Sequence, residues 1–171
     1  MKTMFIFLLP IVLTLQHCHD DAPKPLTELE KLPPATQSGK RTFGCLMDGK
    51  AWVIEGITDV SAYYQTGTLF IAAGLATQLI DQTIAISLED NNLSEKEYIL
   101  SDYPQAFGRL TDKNINCQYL TSSTLQGKFL ITHLDNINFI ISGSFEFEAY
   151  STDCTKTIKI TDGRFDIHYA A

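Results

Sequence analysis

The sequence predicts an all-β fold, a mainly antiparallel β-sandwich or flattened barrel, standing after a signal peptide and a Pro-rich tether. Three observations predict it. Four of the six prolines (Pro23, Pro25, Pro33 and Pro34) fall in residues 19–41, and only Pro104 falls after Thr42. From Thr42 onward, apolar and polar residues alternate with a period of two. In residues 144–150, Phe145, Phe147 and Ala149 point one way while Ser144, Glu146 and Glu148 point the other. Turn dipeptides punctuate the alternation: Asp48-Gly49 and Asp162-Gly163 tolerate the positive φ angles of a two-residue type I′ hairpin, and Thr66-Gly67 is a weaker third. Strands this closely spaced are antiparallel, because a parallel crossover needs a dozen or more residues.

Residues 1–17 read as a signal peptide. Lys2 precedes an apolar run over 4–15, too short to remain as a bilayer-spanning anchor. At its end stands Leu15-Gln16-His17-Cys18, which resembles a bacterial lipobox, with Leu third before a Cys that becomes the lipidated N-terminus. Gln16 and His17 occupy places where small residues are usual. Residues 18–41 form the tether, since proline at this density keeps a chain extended and off a sheet. Within it, residues 26–32 suit a turn or two of helix that Pro33 ends.

Residues 42–171 form the β domain. Strands are expected over 42–46, 51–54, 61–65, 68–73, 82–88, 97–100, 106–110, 115–121 and 126–134. Further ones are expected over 137–142, 144–150, 156–161 and 164–169. Phe129, Ile131 and His133 share one face of 126–134. Arg164, Asp166 and His168 share a face of the last strand, expected to be a solvent-facing polar stripe. Trp52, beside the Asp48-Gly49 turn, reads as a core anchor.

The chain has 171 residues, 44% hydrophobic and 19% charged, enough to bury one core without a metal. Its 20 acidic against 13 basic side chains give a net charge of -7. That balance excludes nucleic acid as a partner, because no basic stripe exists to neutralise phosphates. After Cys18, three cysteines remain, which allows one bridge in an oxidising compartment. Cys117 and Cys154 are favoured, since both flank predicted strands near turn-like sequence. Cys45 shares a strand face with Phe43 and reads as a small buried hydrophobe.

Motifs for chemistry are sparse. The sequence holds no Cys-x-x-Cys, His-Glu-x-x-His or Gly-x-Ser-x-Gly, so no metal, cofactor or catalytic residue is expected. Glu146 and Glu148 are better explained as the wet side of a strand than as a glycosidase pair. The oxygen-rich stretch 89–95 lacks the spacing of a calcium loop. His133 suits a packed or strand-end position. The remaining candidates are Tyr63, Tyr64 and Tyr103, as a ligand-binding surface. Adjacent tyrosines on a strand face opposite ways, so one of Tyr63 and Tyr64 is exposed, and exposed rings on a sheet stack on flat ligands such as sugars.

Several segments together carry a resemblance. Leu32-Pro33-Pro34-Ala35-Thr36-Gln37-Ser38-Gly39 leads into Thr42-Phe43-Gly44-Cys45-Leu46-Met47-Asp48-Gly49-Lys50-Ala51-Trp52. Later come Ile131-Thr132-His133-Leu134-Asp135, Ile140-Ile141-Ser142-Gly143-Ser144-Phe145-Glu146-Phe147 and Ile160-Thr161-Asp162-Gly163-Arg164-Phe165-Asp166. The chain resembles an uncharacterised family of small Bacteroidota lipoproteins, a domain of unknown function, over most of residues 32–169. The resemblance implies an exported all-β domain and brings no catalytic residues. Acidic residues directly after the Cys, here Asp20 and Asp21, look like a signal for display on the outer surface in such lipoproteins.

The expectation is therefore a non-enzymatic, lipid-anchored β domain of the cell envelope, at the outer membrane and surface-exposed. Its expected partners are the membrane, through the anchor, and a glycan or an envelope protein. The alternative is a structural or accessory subunit of an envelope complex, with an enzyme of unfamiliar type behind both.

Overall fold

The computed structural model describes residues 24–54, 59–77, 79–101 and 103–171. The expected signal peptide, Cys18 and the first residues of the tether lie outside them. Among the described residues, one short 3-10 turn (Leu29–Lys31) precedes eleven strands. These are β1 (Thr42–Met47), β2 (Lys50–Ile54), β3 (Val60–Gln65), β4 (Thr68–Ala76), β5 (Asp81–Glu89) and β6 (Glu97–Leu100). The remaining five are β7 (Ala106–Asp112), β8 (Cys117–Leu120), β9 (Gly127–Asp135), β10 (Ile140–Ser151) and β11 (Lys156–His168).

All strand pairs are antiparallel, and they run in the order β2-β1-β11-β10-β8-β7-β5-β4-β3, with β9 on β10 and β6 on β9. The sheet curls until β3 meets the residues after β11. Ala170 N–H donates to Ala62 O, and Tyr64 N–H donates to Ala170 O at 2.7 Å. The fold is thus all-β, a nearly closed antiparallel barrel.

Asp48-Gly49 and Thr66-Gly67 are hairpin turns with positive φ at both residues, joining β1 to β2 and β3 to β4. Asp162-Gly163 is not. The expected break between 156–161 and 164–169 is absent, and β11 runs straight through it. Asp162 has φ 54°, and the pairing of β11 with both β1 and β10 slips by one residue there. An Asp-Gly pair satisfies a bulge as readily as a turn. Likewise 137–142 and 144–150 merge: β10 begins at Ile140 and runs unbroken past Gly143.

The barrel is filled by rings. Phe129 stacks on Phe165 at 5.1 Å between centroids, Phe43 lies 4.9 Å from Phe145, and Trp52 meets Phe43 edge-on at 6.1 Å. Glycines opposite make the room. A Cβ on Gly108 would come within 2.8 Å of the Phe147 ring, and one on Gly163 within 2.6 Å of the Phe145 ring. A small barrel either holds a ligand or is packed with its own side chains, and this one is packed.

The bridge joins Cys117 to Cys154 across a Cα separation of 5.9 Å, tying the start of β8 to the β10–β11 turn. Cys45 is free and buried. Burial pushes its thiol up to about 12, because the thiolate has no solvation there.

The proline-rich segment behaves differently from a spacer. From Glu28 to Arg41 it lies on the barrel. Ala51 N–H donates to the Glu28 carboxylate, Leu32 is buried, and Arg164 donates to Pro33 O. Leu29–Lys31 form the short helical turn expected within 26–32, and the chain is extended at Leu32 before Pro33. What composition missed is that a segment outside any ladder can be held by side chains.

Its clasp is Asp166, which corrects the expected polar stripe. The side chain is only 1% exposed. Its carboxylate accepts from Thr36 Oγ1 (2.5 Å), Ser142 Oγ (2.7 Å) and the backbone N–H groups of Ser38, Gly39 and Lys40. Burial alone pushes its pKa up. The donors from Thr36, Lys40, Ser142 and Ser38 outweigh burial and hold it at about 2. His168, on the same strand, is exposed as expected.

Candidate functional site

Alternation in 68–73 puts Leu69, Ile71 and Ala73 inside the barrel, which forces Phe70 outside. The two-residue turn Thr66-Gly67 then fixes the register, so that Tyr63 pairs with Phe70. Phe70 pairs with Ser87 on β5, and Ser87 pairs with Phe107 on β7. One row across four strands thus reads Tyr63, Phe70, Ser87, Phe107, all on the outer face.

The row carries two ring pairs. Tyr63 stacks on Phe70 with centroids 5.4 Å apart and planes 24° from parallel. Tyr103, from the loop before β7, lies over Phe107 at 5.0 Å and shields it. The guanidinium of Arg109 sits 5.7 Å from the same ring, within cation–π range. The pairs stand two strand spacings apart, roughly 10 Å, with Ser87 between. The neighbouring outer row reads Ser61, Ala72, Ala85, Arg109, and on β5 both Ala85 and Ser87 are buried between their neighbours. Tyr63 is 41% exposed and Tyr103 60% exposed.

Of the three tyrosines singled out by sequence, Tyr63 and Tyr103 thus lie on one face. Tyr64 does not join them. It is the inward member of the adjacent pair, half-buried against the core, and its hydroxyl donates to Asp90 O at 2.7 Å. Tyr98 is half-buried too, in contact with Ser94. Sequence reasoning missed Phe70 and Arg109. The signal for Phe70 was present, because the Thr66-Gly67 hairpin sets it opposite Tyr63.

Other outer surfaces carry less. Glu146 and Glu148 point outward from β10 as alternation predicted, beside an open groove of about 260 Å³ lined also by Ile99, Lys128 and Lys159. Its charges are largely paired: Lys159 lies 3.3 Å from Glu148, and Lys128 lies 3.8 Å from Glu97. In the oxygen-rich loop, Asp90 is taken up by Lys96 at 2.9 Å and by the N–H of Asn92. His133 is half-buried near the end of β9, 3.8 Å from Glu95. Among the described residues, no three His, Cys, Asp or Glu side chains are grouped to hold a metal ion.

Residues 42–166 match the family described as Domain of unknown function (DUF6252). The chain belongs to that family. The matched span begins with β1 and ends at Asp166, so it takes in the whole aromatic row. No curated protein and no solved structure matches the chain.

Proposed function

We propose that the chain is a non-enzymatic binding module of the cell envelope, held at the outer membrane by lipid on Cys18 and displayed at the surface. In this reading the outer face of β3, β4, β5 and β7 takes a flat, hydroxyl-bearing ligand of the glycan class. The observation that carries it is the in-register row with a ring pair at each side, Tyr63 on Phe70 and Tyr103 on Phe107. Stacking on a ring face suits the C–H face of a sugar, while Arg109 and Ser61 beside the row can serve its hydroxyls. The interior, filled by aromatic side chains, leaves the outside as the place for a ligand. The lipobox-like Leu15-Gln16-His17-Cys18 supports the anchor.

The test is a thermal-shift screen of the full-length protein against glycans, divalent metals and small metabolites. A ligand that prefers the folded state raises the melting temperature with its concentration. Loss of that shift in Tyr63→Ala and Tyr103→Ala supports the row as the site, and an unchanged shift in both rejects it. A second reading, an accessory subunit recognised by protein contact, draws on Ile137 and Phe139, which are 87% and 44% exposed at the β9–β10 turn. A flat screen together with co-purification of an envelope protein, lost on Ile137→Asp, favours that reading.

A further inference from the structure

The two most exposed aliphatic side chains at one end of the barrel stand on neighbouring loops. Leu79, between β4 and β5, is 85% exposed, and Ile115, between β7 and β8, is 59% exposed. The loops are joined, because the Asn114 side-chain amide donates to Leu79 O and Lys113 N–H donates to Asp81 O. Ile115 stands two residues from Cys117, so this is also the disulfide end. Three exposed lysines stand in the turns and strand ends of this end: Lys113, which pairs with Asp81 at 3.2 Å, Lys50 opposite Met47 and Lys156 opposite Ser151.

The chain arrives at this same end. Glu28 is fixed to the N–H of Ala51. Next to Ala51, Trp52 Nε1–H donates to Gln82 (3.1 Å), and the Gln82 amide donates to Asp112 (2.7 Å). Gln82 and Asp112 are each three residues from a tip. Glu28 is ten residues after Cys18, a span whose contour is at most about 35 Å whatever its conformation. A lipid on Cys18 is therefore tethered from the disulfide end.

We infer that the disulfide end of the barrel rests on the membrane, with Leu79 and Ile115 dipping into the headgroup layer of the bilayer and the nearby lysines facing its phosphates. This rests on the acylation of Cys18 proposed above. Aliphatic tips at an end that also carries lysines match a lipid surface, whose interface accepts apolar side chains and whose headgroups attract cations. The opposite end is the built-in comparison. Ile137 sits where β10 begins opposite His168, and the disulfide end is where Ser151 pairs with Lys156. The two ends of β10 are roughly 35 Å apart by strand rise.

The experiment uses the full chain, produced in its native envelope and reconstituted into vesicles of phosphatidylethanolamine and phosphatidylglycerol with brominated acyl chains. Leu79→Trp, Ile115→Trp and Ile137→Trp each add one emitter to Trp52, which is buried and gives a constant background. Mass spectrometry of the N-terminal peptide reports acylation separately. Acylated protein with loss of added emission at positions 79 and 115, and none at 137, is the expected result. Acylated protein with no loss at 79 and 115, or with equal loss at 137, overturns the orientation and leaves the anchor standing. An N-terminal peptide without lipid overturns both.

Discussion

Thr36 and Asp166, 130 positions apart, are joined by a 2.5 Å hydrogen bond that closes the N-terminal segment onto the last strand. The same carboxylate takes three backbone N–H groups and the Ser142 hydroxyl, so all its partners stand in segments 36–40 and β10. Asp166→Asn keeps the shape but replaces one accepting oxygen with an amide that faces N–H donors. Hydrogen bonds to a charged acceptor are worth about 2 kcal/mol each, and a buried unsatisfied donor costs as much. The expected outcome is a loss of about 3 kcal/mol in urea unfolding, with amide exchange at Ser38, Gly39 and Lys40 rising by more than in the core.

Acid should release the same clasp. The carboxyl is held at about 2 against an ordinary 3.8, so its charged form is favoured by folding. A depressed pKa contributes stability that is complete above pH 4 and is lost as pH falls from about 4 to 2. The shift corresponds to roughly 2 kcal/mol at a site this buried. Unfolding free energy measured from pH 5 to 2 should fall more steeply for the native protein than for Asp166→Asn. Parallel slopes for the two would mean that other carboxylates carry the acid sensitivity.

Reduction tests the bridge independently. Cys117 and Cys154 close a loop of 37 residues, and constraining the unfolded chain by that much contributes about 4 kcal/mol on the chain-entropy account. Reductant, or Cys154→Ser, should lower the melting temperature clearly. Cys45 should stay unmodified by an added thiol reagent until the protein unfolds, since its thiol is buried and titrates only near 12.

These residues also mark what the sequence disclosed. Tyr63 opposite Phe70 was legible, because a two-residue turn and period-two alternation together fix both register and face. Phe145, Phe147 and Ala149 were legible from the alternation alone. Asp166 was not. Alternation groups it with Arg164 and His168, and nothing within β11 says that residues 36–40 will cover one of the three and leave another exposed. Burial there is decided by a segment 130 positions away, to which local periodicity is blind. The Asp162 bulge was hidden differently: the dipeptide specifies positive φ, and only the strands on either side decide between turning back and running on.

That bulge leads to a packing prediction. A Cβ on Gly163 would lie 2.6 Å from the Phe145 ring and closer still to the Phe145 carbonyl oxygen. The φ of Gly163 lies outside the left-handed region, so the cost of Gly163→Ala is steric and not conformational. Overpacking of a filled core costs about 2 kcal/mol. Restoring space with Phe145→Leu in the same chain should recover part of the loss, whereas two independent defects would add. A double-mutant cycle in urea distinguishes these outcomes.

The aromatic row gives the last prediction, which separates binding from folding. Tyr103 is 60% exposed and Tyr63 41% exposed, so Tyr103→Ala and Tyr63→Ala should each change stability by less than about 1 kcal/mol. Phe107 beneath Tyr103 is buried, and Phe107→Ala should cost about 3 kcal/mol. Each exposed ring contributes stacking of about 1 kcal/mol to a bound ligand, so each tyrosine variant should weaken the affinity for a shifting glycan about fivefold. Tyr64→Phe removes only the bond to Asp90 O from the inner side, and should leave that affinity unchanged. If Tyr64→Phe weakened binding as much as Tyr63→Ala, the ligand would have to be contacting the hairpin end and not the face of the row. Titration calorimetry on the three tyrosine variants, with melting curves for these and for Phe107→Ala, reads binding and folding separately.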